Sequence, residues 1–384
     1  MANGQPWFSV DRLRAFWQRT SEGLNAQQLW SQLRRETRTS LDLYSAETGR
    51  NLREEWSARK RRRVISAVAG AMYKRLTPVR RLLFIVAVVM LLFPSFQNVH
   101  GYGERVIFNS TVSALILLAL LVFELADRVG LKRDLEIAKD IQRMLLPEKP
   151  PALLGLDIAF GTKAANTVAG DYYDAFPRPN TNDSRLLLIV ADVAGKGIPA
   201  GLLMAAVQTG LHVLAADPVP LIELAARLNR SMCERSGGGR HMITAFLAEL
   251  ETSTRTLTWV NAGHNPPILV RSGGAFEHLE EGGLPLGAFT ASRYESGRTE
   301  LRAGDVLYIY TDGVIEAVNE SGAEYGEDRL AGLLAALGTA TAAASLSRIF
   351  ESVDRFAGAA PQYDDITCLV LRVAAAGAAF GAKA

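Results

Sequence analysis

Two long apolar stretches interrupt the chain, at residues 82–99 and 106–126. Both are apolar on all sides rather than along one helical stripe, which disfavours a pair of buried amphipathic core helices. Each is close to the roughly 20 mainly apolar residues that a membrane-spanning helix needs. The pattern therefore predicts a two-helix transmembrane hairpin over residues 81–126.

The next segment, residues 127–149, has a different periodicity. Leu131, Leu135, Ala138 and Leu145 fall near one helical face, and prolines from Pro147 onward stop the helix. This pattern predicts a linker helix. A helix with such a seam often pairs with its copy, which makes a homodimer one interpretation, and a monomeric linker packed on the next domain is the other.

Strand-like and helical patterns alternate through residues 150–373. Apolar runs predict strands at 185–191, 243–250, 256–261, 267–270, 306–310 and 366–373. Helical spacing occurs at 199–215, 220–233, 327–337 and 342–356. Because the strands come in consecutive blocks, we expect an α+β fold with packed sheets and helices outside, rather than a strict βαβ repeat.

The two ends of the chain carry weaker signals. Residues 1–80 read as a cytoplasmic helical region with a basic run at 59–63, which suits an anionic membrane surface. A small sensory domain is the alternative for this region. Residues 374–384 are rich in Ala and Gly and predict a disordered tail.

Charge and cysteine content bear on location. The formal net charge is +2, which gives no reason to expect a nucleic-acid partner, and Cys233 and Cys368 suggest a reducing compartment without a disulfide framework. No cleavable signal peptide is visible. Basic residues flank both apolar stretches on their outer sides, whereas only Arg105 lies between them, so the positive-inside rule predicts both termini in the cytoplasm. The predicted location is the bacterial inner membrane.

Aspartates occur in four short motifs of the C-terminal domain. The motifs are GDYYD at 170–174, DVAGKG at 192–197, TDG at 311–313 and YDDIT at 363–367. Three of them adjoin strand runs, so their carboxylates can converge on one sheet edge. Gathered carboxylates repel one another, and Mg²⁺ or Mn²⁺ would remove that repulsion through oxygen ligands.

Taken alone, each motif is weak evidence. Asp-Gly is a common turn signal, and a pair of aspartates before a strand is often a solvated cap. The glycines around Lys196 lack the spacing and the Ser or Thr of a phosphate-binding P-loop. Specificity comes from the ordered set.

That ordered set resembles a known family. The matching phrases are AKDIQRMLLP, VAGDYYD, ADVAGKGIPAGLLM, ITAFLAELE, VNAGHNPPILV, LPLG, YTDGVIEA and YDDITCLVL, which lie in this order between residues 138 and 371. Over half of the chain is thus similar to the PPM phosphatases of the stage II sporulation protein E type, relatives of type 2C serine/threonine phosphatases. The resemblance implies a β-sandwich flanked by helices, with a two-metal site at one end.

The resemblance also implies residue roles. Two divalent cations, Mn²⁺ or Mg²⁺, would be held by the catalytic carboxylates and by the backbone carbonyl of Val193. Asp192 would bridge both ions, and Asp174 and Asp365 would orient the ligands from behind. The implied metal-binding and catalytic carboxylates are Asp171, Asp192, Asp312 and Asp364.

Two other polar residues stand in the motifs. His264 is a tempting general acid, but its strand-to-turn setting with prolines and asparagines favours a structural role. Lys196 could meet a phosphate or remain solvated, and the sequence leaves both open.

The predicted function is a membrane-anchored, metal-dependent protein serine/threonine phosphatase. The resemblance points to a phosphorylated regulatory protein as substrate, typically an anti-sigma-factor antagonist, and suggests that the linker helix orders the metal site. A non-catalytic membrane module that docks such a regulator is the alternative, which the intact aspartates disfavour. A third alternative is metal-dependent phosphotransfer on a small molecule, and no sequence motif of a nucleotide pocket supports it.

Overall fold

The protein is described by a computed structural model that covers residues 76–92, 102–181, 185–235 and 242–374, together with Gly70 and Tyr73. Most of the predicted region 1–80 and residues 375–384 of the predicted tail lie outside the described residues. The chain divides into two compact units, Met1–Arg128 and Val129–Ala384.

The N-terminal unit contains helix α1 (Pro78–Leu92) and the first part of helix α2 (Tyr102–Leu145). These helices contact each other where the buried Ser113 hydroxyl donates to the carbonyl of Ala87 at 2.6 Å. Arg80 and Asp127 form an ion pair at 2.6 Å. Many large apolar side chains on both helices remain exposed, among them Leu82, Leu115 and Val122.

The long helix differs from the predicted arrangement. The second predicted span and the predicted linker helix were separate segments, but α2 runs for 44 residues without a break at residue 126. Charged residues after that point are good helix formers, so the change from apolar to amphipathic composition does not end the helix. The last residues of the first predicted span, 93–99, lie outside the described residues.

Among the described residues, one helix is long and apolar enough to cross a membrane, and it is helix α3 (Ile198–Ala215). Its Met204, Val207 and Leu211 side chains are fully buried in the C-terminal unit. This helix is therefore part of a domain core, and the hairpin over residues 81–126 stays a prediction.

Two sheets form the centre of the C-terminal unit, and all their strand pairs are antiparallel except the short parallel pair of β5 with β8. The first has the order β1–β11–β10–β6–β7, and the second has the order β2–β3–β4–β5–β8 with β9 on β5. The strands are β1 (Leu156–Lys163), β2 (Tyr172–Pro177), β3 (Arg185–Val193), β4 (Ile243–Glu251), β5 (Thr256–Ala262), β6 (Ile268–Val270), β7 (Phe276–His278), β8 (Gly282–Gly283), β9 (Gly297–Glu300), β10 (Val306–Tyr310) and β11 (Ile366–Val373).

Helices cover the outer face of each sheet. Helices α3 and α4 (Leu221–Arg235) pack on the second sheet, and α5 (Glu327–Leu337) and α6 (Ala342–Ala357) pack on the first. A third cluster, which includes Leu188, Phe246 and Leu369, fills the space between the sheets. The predicted β-sandwich flanked by helices is therefore confirmed.

Strand β3 shows why the sequence folds this way. It lies between β2 and β4, with one face toward the other sheet and the other toward α3, so its run LLLIVA is buried on both faces. A strand buried on both faces carries a continuous apolar run instead of an alternating one. Burying its side chains contributes about 1.5–3 kcal/mol for each large aliphatic residue.

Candidate active site

The register of β2 and β3 brings two predicted ligands together. Tyr172 is paired with Ala191 in the antiparallel ladder, so Asp171 and Asp192, one position further out, leave the two strands side by side. Asp171 is buried, with 1% of its surface exposed. A hydrogen bond between the side chains of Asp171 and Asp192 opposes the rise of the Asp192 pKa.

The other two predicted ligands leave the first sheet at the same edge. Strand β10 ends where Tyr310 pairs with Cys368 of β11. Asp312 then begins a single 3₁₀ turn, Asp312–Val314, while Asp364 lies just before β11. The end of one strand and the start of its antiparallel neighbour thus carry both carboxylates.

A threonine links the two sheets at this edge. The Thr311 hydroxyl donates to Asp171 at 3.0 Å and accepts from the backbone N–H of Thr367 at 3.0 Å. It has no exposed surface. The sequence analysis treated Thr311 only as part of a turn motif, since a contact across 140 positions cannot be read from spacing.

Two glycines let the strand ends approach closely. A Cβ atom on Gly313 would lie 2.0 Å from the backbone oxygen of Asp365, which no side chain could tolerate. A Cβ atom on Gly170 would lie 3.2 Å from the carbonyl oxygen of Val193. The predicted carbonyl ligand therefore lies against the segment that carries Asp171.

Burial and like charge raise the pKa values of Asp171, Asp192 and Asp312. Burial, then the charges of Asp312 and Asp364, raises the pKa of Asp192 to about 7. Burial, followed by the neighbouring Asp192, raises the pKa of Asp171 well above its usual range. The pKa of Asp312 is also raised, first by burial and then by Asp364. The four carboxyl groups therefore lie close enough to interact electrostatically.

Asp365 supports the cluster through backbone contacts. Its carboxylate accepts from the N–H of Ala165 at 2.8 Å and from the N–H of Gly170 at 2.7 Å. These bonds fix the segment that precedes Asp171, in keeping with the orienting role that the resemblance implied. Lys196 pairs with Asp364 at 3.0 Å and donates to the carbonyl of Tyr363. It therefore adds a single positive charge beside the acidic cluster.

The donor set fits hard divalent cations. Carboxylates and a backbone carbonyl are the oxygen ligands that Mg²⁺ and Mn²⁺ prefer, and a cation would relieve the repulsion that raises the pKa values. Within the described residues, no three His, Cys, Asp or Glu side chains lie close enough together to hold one ion. The fit therefore rests on donor chemistry and charge, not on a formed coordination sphere.

Asp174, for which an orienting role was predicted, makes its contacts on the helical side of β2. Its carboxylate accepts from the Tyr172 hydroxyl at 2.9 Å and the Ala175 N–H at 2.7 Å, and contacts His212 Nε2 at 2.8 Å. Side chains alternate along β2, so Asp174 faces helix α3 together with Tyr172, which packs in the cluster beneath that helix. The structure ties Asp174 to α3 and not to the four clustered aspartates.

His264 takes the structural role that the sequence favoured. It is buried, with 5% of its surface exposed. Its ring Nδ1 contacts the Thr244 hydroxyl at 3.0 Å, and its backbone N–H donates to the side-chain carbonyl of Asn261. Burial lowers the pKa of His264 to about 4, with the Tyr310 carbonyl opposing the shift. A neutral imidazole held inside the sandwich is a poor proton donor to a substrate.

Gln142 is a contact that the sequence analysis missed. Its side-chain amide donates to the Ala169 carbonyl at 2.7 Å and accepts from the Ala169 N–H at 3.0 Å. Ala169 lies two residues before Asp171, so the end of α2 holds the segment that carries a clustered carboxylate. A polar residue on the otherwise apolar seam of this helix was the available signal.

Comparison with known proteins places this architecture. The family described as Stage II sporulation protein E (SpoIIE) matches residues 182–374, just over half of the chain. Phosphoserine phosphatase RsbU of Bacillus subtilis is 31% identical over 193 residues, which cover 50% of this chain and 56% of RsbU. The chain spans about half the length of the curated relatives it matches.

Solved structures show the same fold. The RsbU and RsbW domains of a Mycobacterium tuberculosis protein share 26% identity and a TM-score of 0.52, covering 60% of this chain and 64% of that chain. The SiaA-PP2C domain of Pseudomonas aeruginosa is similar in fold, with 21% identity and a TM-score of 0.56, and covers 64% of this chain and 98% of that chain. The family match and the shared sandwich show that the chain belongs to the stage II sporulation protein E family.

Proposed function

We propose that this chain is a metal-dependent phosphatase that removes phosphate from serine or threonine of a regulatory protein. The observation that carries the proposal is the convergence of Asp171, Asp192, Asp312 and Asp364 at one edge of the sandwich, where burial and neighbouring carboxylates raise the pKa values of the first three. Membership in the stage II sporulation protein E family and the similarity to a protein named phosphoserine phosphatase support the reaction class.

Each residue has a role in this proposal. Asp171, Asp192, Asp312, Asp364 and the Val193 carbonyl would hold two divalent cations. When bound, such ions supply Lewis-acid activation of water and of the phosphoryl group. Asp365 and Thr311 orient these ligands, because each donates or accepts hydrogen bonds at the segments that carry Asp171.

Phosphate release by the full chain tests the proposal. We expect the full chain to hydrolyse p-nitrophenyl phosphate and phosphoserine casein with Mn²⁺, to lose activity in chelator, and to lose at least about a hundredfold in kcat/KM in Asp192→Asn. Asp217→Asn is the matched control, because this exposed carboxylate pairs only with Arg227 among the described residues. A folded wild-type chain that turns over neither substrate would favour the docking module instead.

The substrate protein is proposed on the same grounds. The relatives named phosphoserine phosphatase RsbU and RsbP support a phosphorylated partner-switching regulator as substrate, and the proposed candidate is an anti-sigma-factor antagonist. The proposed homodimer would form through the predicted seam of α2, of which Leu131 is exposed whereas Leu135, Ala138 and Leu145 are half-buried. Neither partner involves nucleic acid in this proposal.

Membrane anchoring is a separate part of the proposal. It is supported by the exposed apolar side chains of α1 and α2 and by the basic residues outside the two apolar stretches. The catalytic domain and both termini would then face the cytoplasm of a bacterium. We expect the full chain to remain in the membrane fraction after a carbonate wash, and its quantitative release into the supernatant would contradict the anchor.

A further inference from the structure

A cavity of about 480 Å³ adjoins the aspartate cluster. Its lining includes Lys196, Gly313 and Asp364, which belong to the candidate active site. From there it extends between the segment after the 3₁₀ turn and the end of α6. Its volume falls within the roughly 300–1,000 Å³ of ligand pockets.

The rim of this cavity is held in place by hydrogen bonds. The Gln362 amide donates to the Lys163 carbonyl at 2.6 Å and to the Asp364 carbonyl at 2.8 Å. Lys196 donates to the Tyr363 carbonyl from the opposite side. The loop before β11 is thus fixed to β1 and to the loop after β3, so binding there orders little additional chain.

The charges that line the cavity exclude a second phosphate site. Lys163 is paired with Asp354, and Lys196 is paired with Asp364. The remaining charged residue of the lining, Glu316, is acidic. Between these pairs the lining also contains six apolar residues, namely Ala317, Val318, Val353, Ala357, Pro361 and Ile366.

We propose that this cavity binds an apolar side chain next to the phosphorylated residue of a protein substrate. The inference rests on the proposed phosphatase function, because it needs the phosphoryl group at the aspartates. Successive residues of an extended chain are about 3.3 Å apart. Since the cavity shares Asp364 and Gly313 with the site, a side chain one or two residues from the phosphoserine reaches it.

Two synthetic peptides test this selection. One carries leucine on both sides of a phosphoserine, and the other carries glycine at the same positions. We expect the full chain with Mn²⁺ to show a kcat/KM about tenfold higher for the leucine peptide. We expect Ala357→Trp, which fills the cavity from α6, to abolish that preference while kcat/KM for p-nitrophenyl phosphate stays within about twofold.

A binding measurement provides a readout that does not depend on turnover. In chelator, a fluorescein-labelled leucine peptide with unphosphorylated serine should bind the full chain, and Ala357→Trp should weaken it about tenfold. Arg355→Trp is the matched control, because Arg355 is exposed on the same helix and does not line the cavity. Should Ala357→Trp unfold, Val318→Phe fills the cavity from the opposite wall.

The outcomes separate this inference from the proposed function. Equal kcat/KM for both peptides in the wild type, including no turnover of either, overturns the cavity assignment if p-nitrophenyl phosphate is still hydrolysed. A leucine preference that survives in both cavity variants also overturns it. If the wild-type chain did not hydrolyse p-nitrophenyl phosphate at all, the phosphatase function itself would be overturned.

Discussion

Strand β3 has charged groups at both ends. Opposite charges are paired at one end, whereas like charges are clustered at the other. At its start, Arg185 and the buried Arg178 surround Glu249 at 3.0 and 2.6 Å, and Arg185 also pairs with Glu251. At its far end, Asp192 meets Asp171, Asp312 and Asp364, with Lys196 as the nearby cation.

The first end, which we call the paired end (Arg178, Arg185, Glu249 and Glu251), balances two positive with two negative charges. The second end, the acidic end (Asp171, Asp192, Asp312, Asp364 and Lys196), does not. Burial of unbalanced like charges costs folding free energy. Such a cluster is therefore expected where a bound ion compensates the charge. The contrast separates a structural ion network from a candidate functional site within one strand.

Breaking the paired end should have the largest effect on stability. Arg178 is fully buried and also donates to the carbonyls of Ala215 and Asp217, so Arg178→Met leaves Glu249 half-paired and removes a donor from both carbonyls. The Asp217 carbonyl keeps the N–H of Val219 as a partner. We expect the free energy of unfolding to fall by about 3–5 kcal/mol, measured by urea denaturation. Metal-dependent activity per folded molecule should be unchanged.

The matched control is Arg185→Met on the same network. Its side chain is 43% exposed, so the loss should be at most about 1 kcal/mol. An equal loss in both variants would show that burial does not decide the strength of the paired end.

Neutralising the acidic end should have the opposite sign. Burial and like charge raise the folded pKa of Asp192 to about 7, above its unfolded value, so the wild type loses stability as pH rises from the unfolded pKa to about 7. In chelator at pH 8, Asp192→Asn should therefore be more stable than the wild type, by the order of a few kcal/mol. The difference should shrink toward pH 5, where the wild-type carboxyl is protonated.

Urea denaturation of both proteins across this pH range measures the effect. Added Mn²⁺ should reverse the order at pH 8, because only the wild type gains the bridging ligand. A variant less stable than the wild type in chelator at pH 8 would contradict the idea that the acidic end is electrostatically strained.

Much of this fold could be predicted from the sequence. The predicted bounds of β10, β11 and α5 agree with Val306–Tyr310, Ile366–Val373 and Glu327–Leu337, because buried runs and helical periodicity carry strong local signals. Strand β1 was missed because its burial is only partial, and β7, β8 and β9 are too short to show a period.

The site was predictable in part for the same reason. Asp192, Asp312 and Asp364 adjoin strand runs, and strand ends meet at sheet edges, so local pattern was sufficient to group them. The orienting role of Asp174 stays a prediction, and alternation along β2, an unpredicted strand, turns its side chain toward α3. The contact of Gln142 with Ala169 depends on tertiary packing across 27 positions, so its one local signal, a polar residue on the apolar seam of α2, does not identify the partner.

The smallest expected effect concerns how the acidic end is anchored. At the paired end ion pairs hold the chain in place, whereas here a neutral side chain does so. The Gln142 amide hydrogen-bonds with both the N–H and the carbonyl of Ala169. Gln142→Leu leaves a buried N–H and a buried carbonyl without that partner, so we expect a loss of about 2 kcal/mol in unfolding free energy. Because Ala169 precedes Asp171 by two residues, the Mn²⁺ concentration for half-maximal activity should rise severalfold.

Arg143→Leu is the matched control for this variant, since Arg143 is the exposed neighbour of Gln142 on α2. Metal titrations of activity, run beside urea denaturation, distinguish a positioning effect from simple destabilisation. If Gln142→Leu lowered stability while the Mn²⁺ requirement stayed at the wild-type value, the amide would hold the fold without positioning Asp171. A raised Mn²⁺ requirement in Gln142→Leu alone would show that the acidic end depends on uncharged contacts to present its carboxylates.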